Sequence, residues 1–413
     1  TEMWERFSYY GMRSLLVYYM IKHLRFTQER SSEIYGLYTG FVYFTPLLGG
    51  MLADRFLGQR RTVIVGGMLM AIGHFLMTSD RLFFPALIFL ILGNGAFKPN
   101  ISTQVGALYP PGDNRRDRAF SIFYMGINLG AFFSPLVCGT LGEKLGFHWG
   151  FGAAGVGMVV GLLIYLRGQK HLAPDPVMKK KESKQQKSSE PMTREDRLKV
   201  GAIFIMMTLS ILFWSVYEQQ GNTLALWADA YTDRVILGWE MPASWFQSFN
   251  PLMIFIFVPV LNIFWSRQDR RGKEPSSIAK MGIGCIMLAA AFLVMIVPAR
   301  ELAVNPRASL WWLIACAFVL TVGEIYFSPI GLSLVTKISP ARMVSMMMGV
   351  WFLSSFFGNY LAGYLGTFWE KISKENFFLL MSALPFVAGI AFFAILKPLK
   401  GAIGHDKQTT LDV

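Results

Sequence analysis

Hydrophobic residues in this chain come in long unbroken runs, not in the alternation of a half-buried strand. Each run is close to the ~20 residues that cross a bilayer at ~1.5 Å rise per residue. Charged side chains cluster in the gaps between the runs. Twelve runs predict twelve membrane helices, near residues 3–21, 33–54, 61–79, 82–108, 117–141, 148–166, 200–228, 243–266, 279–298, 309–335, 342–369 and 376–396. A polar stretch with Lys179, Lys180, Lys181, Glu182, Ser183 and Lys184 separates the first six from the last six. It predicts a six-helix bundle over 1–167, a basic cytoplasmic linker over 168–199, and a second bundle with a tail over 200–413.

Composition agrees with a chain solvated by lipid: 53% of the 413 residues are hydrophobic and 16% charged, well away from the balance of a soluble domain. The net charge of +13 does not point to nucleic acid, because the basic residues flank spans instead of gathering on one face among aromatics. They set orientation. With both termini and the even-numbered loops on one side, that side holds 26 of the 39 Lys and Arg residues against 10 opposite, and 16 against 10 without the linker; positive loops stay cytoplasmic. A multi-pass plasma-membrane protein is expected, in the inner membrane if the source is a Gram-negative bacterium. The chain opens almost inside its first span without a cleavable signal peptide, so a short leading segment is expected upstream. Cys138, Cys285 and Cys316 lie within apolar runs at spacings of neither a disulfide framework nor a metal site; no metal and no cofactor are expected.

Chemistry should reside in ionisable groups inside spans, each costing about 2.5–3.5 kcal/mol on insertion scales unless it faces protein, a partner charge or water. Seven stand out: Glu2, Glu5, Arg6 and Arg13 in helix 1, Lys98 in helix 4, Glu218 in helix 7 and Glu324 in helix 10. At helical spacing the helix 1 charges fall with Tyr9 and Tyr10 inside an arc of roughly 140°. Arg13 lies about 16 Å deeper than Glu2, too deep to snorkel, so this stripe predicts a cavity wall. Three cations against four anions leave one negative charge, which one proton would cancel. Glu2 and Glu5 resist joint ionisation while Arg6 favours the charged form of whichever it touches, so one of them can carry a proton; counting alone does not choose. Pairs between Arg13 or Lys98 and Glu218 or Glu324 would cross from one half to the other and could gate it.

Six plus six helices around a basic linker match the major facilitator plan, with substrate held near the midplane between the halves. Gly50, Asp54, Arg55, Gly58, Arg60, Arg61 and Thr62 resemble that superfamily's motif between helices 2 and 3. The expected fold is therefore an all-α membrane protein of the major facilitator type, with 12 transmembrane helices in two six-helix bundles. A narrower resemblance begins at Glu2-Met3-Trp4-Glu5-Arg6-Phe7-Ser8-Tyr9-Tyr10-Gly11, which is similar to the ExxERFxYYG signature of the proton-dependent oligopeptide transporter family. Phe123-Tyr124-Met125-Gly126-Ile127-Asn128-Leu129-Gly130 resembles that family's FYxxINxG motif. Phe97-Lys98-Pro99-Asn100, Trp214 through Gln219, Phe249-Asn250-Pro251, Gly323-Glu324 and Trp351-Phe352-Leu353-Ser354 extend it through both halves.

The resemblance implies a proton symporter importing di- and tripeptides by alternating access, a monomer whose partners are peptide, protons and the lipid bilayer. Glu2, Glu5 and Arg6 would couple the proton, and Arg6 with Lys98 would take the peptide carboxylate. Glu324, Asn128 and Asn250 would take the amino terminus, while Tyr9, Tyr10, Tyr43, Trp214, Trp351 and Ser354 would complete the binding site. Arg13–Glu218 and Lys98–Glu324 would be the gating salt bridges. The short linker leaves no room for the two extra helices of many bacterial members. Helix 2 lacks the histidine of animal members, with Gly36 near its place, and Tyr217 stands where some bacterial members carry a second glutamate. Nitrate, carried by plant relatives, is an alternative substrate, but Glu324 is ill suited to a lone anion. No enzyme motif of the His-Glu-x-x-His or Gly-x-Ser-x-Gly kind occurs, and a channel would want rings of like charge. A sensory receptor is separated from a transporter by uptake into liposomes.

Overall fold

The computed structural model describes residues 1–109, 115–172, 192–340 and 343–396; residues 179–184 of the expected linker and the tail beyond 396 lie outside them. Twelve long helices are described: α1 (Glu2–Tyr18), α2 (Gln28–Leu52), α3 (Gln59–Leu76), α4 (Phe83–Ala107), α5 (Arg115–Ser134), α6 (Phe147–Gly168), α7 (Arg194–Tyr217), α8 (Phe249–Asp269), α9 (Ser277–Val294), α10 (Leu310–Ile338), α11 (Val344–Gly366) and α12 (Lys374–Ala394). Eight of the described spans are long and apolar enough to cross a membrane on composition alone. The remaining four, α1, α2, α3 and α11, carry charged or polar residues along their length, and three of these, α1, α2 and α11, supply cavity residues.

Helix ends depart from the hydropathy reading where polar caps extend a helix beyond the lipid. Thr27 accepts a hydrogen bond from the Arg30 amide, so α2 starts five residues before the expected 33. At α7 a reciprocal cap between Thr193 and Asp196 starts the helix at Arg194, because capped first turns need water more than apolarity. The loop between α2 and α3 turns on Gly58, whose φ of +77° is open to glycine without strain. The all-α expectation needs one addition: between α7 and α8 lies a small hairpin, Val235–Ile236 against Trp239–Glu240, and Thr232–Asp233 pairs with Ala308–Ser309.

Each half buries its own core. One cluster of buried apolar side chains runs from Tyr9 to Tyr165, around Leu16, Tyr35, Phe97 and Phe151; the other runs from Ala202 to Phe392, around Phe213, Leu320, Phe327 and Phe378. The halves meet along α2 against α11 and α5 against α8. On the first seam Gly36 and Gly363 let two backbones approach closely, as small residues do between membrane helices: a Cβ on Gly36 would sit 2.5 Å from the Gly363 Cα. Gly36→Ala should therefore cost about 1–3 kcal/mol, read as a lower unfolding temperature in detergent. An unchanged temperature would show that the seam yields without loss.

Polar contacts across the seam gather at the membrane face away from the N-terminus. Tyr18 donates to the Ala225 carbonyl (2.8 Å), Gln28 to the Gly366 carbonyl (2.9 Å) and Ser32 to Asn222 (2.9 Å). Lys22 pairs with Asp229 and Lys371 with Glu29, each at 2.6 Å. Glu143, at the end of the short helix that continues α5, accepts from the amides of Ala243 and Ser244 (2.8 Å each). That face is sewn shut.

Candidate functional site

Between the halves lies a cavity of about 420 Å³, within the range of small-molecule sites. The first half contributes Tyr10, Arg13, Tyr43, Tyr124 and Asn128 to its wall; the second contributes Trp214, Tyr217, Glu218, Asn250, Glu324 and Trp351. Breaks in helices shape this wall. α7 ends at Tyr217 and tightens into a 3-10 turn over Glu218–Gly221, which carries the Glu218 carboxylate to Arg13 in an ion pair across the seam. Arg13 also donates through Nε to the Tyr35 hydroxyl (2.8 Å). In α10, Pro329 lacks the N–H that would occupy the Ile325 carbonyl, so an acceptor is freed among residues that line the cavity. Pro251 sits in the first turn of α8, where a missing N–H costs little, and fixes Asn250 at the cavity edge.

Glu324 is held by Asn250, which donates to it at 2.8 Å and to Thr321 at 3.1 Å. Asn128 lines the cavity but donates to the Tyr124 carbonyl of its own helix (3.0 Å). Below Tyr10 on α1, Arg6 lies between two carboxylates: its Nε is 3.0 Å from Glu2 and 2.6 Å from Glu5. Asn94 of α4 donates to the other Glu5 oxygen (3.1 Å), and the buried Arg6 Nη2 has no hydrogen-bond partner. All three charged groups are shielded from solvent, Glu5 completely.

Several site residues read from the sequence stand elsewhere. Glu2, Glu5, Arg6 and Lys98 are not on the cavity wall but behind it; Lys98 reaches across the Tyr43 ring, 4.6 Å from its centroid. Lys98 and Glu324 make no ion pair with each other among the described residues, since Glu324 is engaged by Asn250 and Lys98 by Tyr43. Tyr9 is buried inside the first half, edge-on to Tyr10 at 5.1 Å. Ser354 turns its hydroxyl onto the Trp351 carbonyl of its own helix (2.6 Å), and its neighbour Ser355 faces the cavity instead. The sequence reading missed Tyr35 and Asn94, which orient Arg13 and Glu5, and Tyr124, Gln220 and Gln247 on the wall. Asn94 had a legible signal, an amide between Gly93 and Gly95 in the otherwise apolar run 83–97.

A family model described as the POT family matches residues 60–189 and 173–382. The peptide transporter YePEPT of Yersinia enterocolitica is 36% identical, over 89% of this chain and 86% of its own length. The di-/tripeptide transporter of Lactococcus lactis subsp. cremoris is 29% identical, over 98% and 95%. A mutant form of a peptide transporter POT, solved in complex with alafosfalin, matches with a TM-score of 0.88 at 33% identity, over 97% of this chain and 93% of the other.

Proposed function

The chain belongs to the POT family, transporters and not enzymes, and from that membership we propose that it is a proton-coupled symporter importing di- and tripeptides. The observation that carries the reading is the polarity of the cavity: the anion Glu324 on the wall from the second half, and the cations Arg6 and Lys98 one layer behind Tyr10 and Tyr43 on the first. A dipolar guest suits such a site, its ammonium toward Glu324, Asn250 and Asn128, its carboxylate toward Arg6 and Lys98. Arg6 has an unused donor for that carboxylate. Tyr10, Tyr43, Trp214 and Trp351 offer aromatic faces that bind side chains through area more than directed bonds. Relatives named peptide and di-/tripeptide transporters support the substrate class.

Coupling follows from the α1 triad. With Arg6 shared between Glu2 and Glu5, the group carries one excess negative charge, and drawing Arg6 toward a peptide carboxylate weakens its hold on both carboxylates. One of them then keeps a proton more readily, so proton and peptide travel together. No cofactor is needed; the proton is the coupling ion. In this reading the protein is a monomer in the plasma membrane, the inner membrane in a Gram-negative source, with both termini and the basic linker over 168–199 in the cytoplasm; the contacts along the opposite face support an outward-closed state. Arg13–Glu218 is part of the outer closure, to be broken when the halves rock the other way.

The test is uptake of a labelled dipeptide by purified protein in liposomes, acid outside. Accumulation should collapse with a protonophore and be competed by unlabelled dipeptides but not by nitrate. Nitrate competition, or accumulation indifferent to the gradient, would sink the reading.

A further inference from the structure

On the sealed face, away from the peptide cavity, His23, Asp80 and His148 converge from three elements. α1 ends in a π turn over Tyr19–His23, Asp80 opens the 3-10 turn before α4, and His148 lies in the first turn of α6. His23 Nε2 is 3.1 Å from both Asp80 carboxylate oxygens, His148 Nε2 is 3.7 Å from Oδ1, and one ligand atom from each of the three residues lies within 4.8 Å of the others. We propose that His23, Asp80 and His148 form a binding site for a divalent transition cation of the zinc class, facing the outer side of the membrane.

Spacing is the first argument. A tetrahedral ion with ligands at 2.0–2.1 Å separates neighbouring ligand atoms by about 3.3 Å, and the observed 3.1 and 3.7 Å bracket that value. Two imidazoles and one carboxylate are also the donor set that zinc-class ions take with three protein ligands and one water. The groups are held in place before any ion arrives. Tyr19 donates to Asp80 Oδ1 at 2.7 Å, the outer-shell bond that orients a ligating carboxylate. His23 stacks on the Tyr19 ring with centroids 5.2 Å apart at 14°, and His148 stands edge-on to His23 at 5.0 Å. All three ligands stay partly open to solvent, so an ion has a way in. Sequence reading hid the site because 57 residues separate His23 from Asp80 and neither histidine belongs to a spaced motif.

The probe is Zn2+ titrated into detergent-solubilised full-length protein, its affinity tag removed, by calorimetry or competition with a chelating dye. One ion per chain should bind. His23→Ala and His148→Ala should each weaken binding at least about tenfold, and Tyr19→Phe by less, since outer-shell losses run at about 10–100-fold or below. Peptide uptake without added zinc should be the same in the variants as in the unaltered protein, which certifies that they fold. Zinc binding equal in the unaltered protein and the double histidine variant, or none at all, would overturn the proposal. Of the other three histidines, His74 is fully buried and His171 follows α6 at the opposite membrane face, so neither of these can substitute; His405 lies outside the described residues, and His405→Ala, expected to bind zinc like the unaltered protein, is its control.

Discussion

Glu5→Gln should remove accumulation driven by a proton gradient while leaving exchange of peptide for peptide across the membrane. Glu5 is fully buried, 2.6 Å from Arg6 and held by Asn94 at 3.1 Å, and glutamine keeps its size while losing the titrating group. Arg6 would keep Glu2 as its single counter-charge, a neutral pair with no excess negative charge for a proton to cancel. A zwitterionic peptide moving with one proton carries one net charge, worth ~2.3 kcal/mol per 100 mV, or about 50-fold accumulation. With the carboxyl neutralised, accumulation should fall to about the external level. Counterflow needs only the rocking of loaded halves, so it should survive at a reduced rate. The measurement is paired uptake and counterflow in liposomes, with Glu2→Gln beside it to assign the carrier between the two carboxyls. Retained gradient-driven accumulation in Glu5→Gln would remove the coupling role given to it.

The membrane helices were legible because lipid imposes one demand, satisfied backbone over about 20 residues, and hydropathy reads that demand directly. Their polar ends were not, since Thr27 and Thr193 caps work in water where apolarity carries no signal. The same division holds within the site. Helical spacing placed Tyr9, Tyr10, Glu5 and Arg13 on one arc, yet 100° separates Tyr9 from Tyr10, and only the Tyr10–Arg13 edge of the arc meets the cavity. Its other edge packs within the first half, which is why Tyr9 is buried among neighbours. A like turn separates Ser354, bonded into its own helix, from Ser355 on the wall. Pairing between halves is a property of one conformation as well as of sequence: Arg13 meets Glu218 here because α7 breaks at Tyr217, while Glu324 has Asn250 closer to hand than Lys98.

Glu324→Gln should weaken transport of dipeptides about 10–100-fold in KM, and of analogues lacking the amino group by no more than about threefold. Glu324 reaches the cavity from the second half, with Asn250 donating to one oxygen at 2.8 Å. An ammonium arriving there gains a charge-assisted hydrogen bond, about 1.5–3 kcal/mol, which converts to that loss. Glutamine keeps the size of the side chain and an oxygen for Asn250, and presents its NH2 to the Tyr217 hydroxyl that Glu324 also bonds, so charge is the main thing removed. The amine-free analogue makes no such bond in either protein, and its affinity reports the rest of the site. Measuring KM for both substrates in both proteins therefore separates an amine-binding role from a structural one. Equal losses for the two substrates would mean that Glu324 shapes the cavity through Asn250 and does not meet the amino terminus, leaving the carboxylate end, at Arg6 and Lys98, to anchor the peptide.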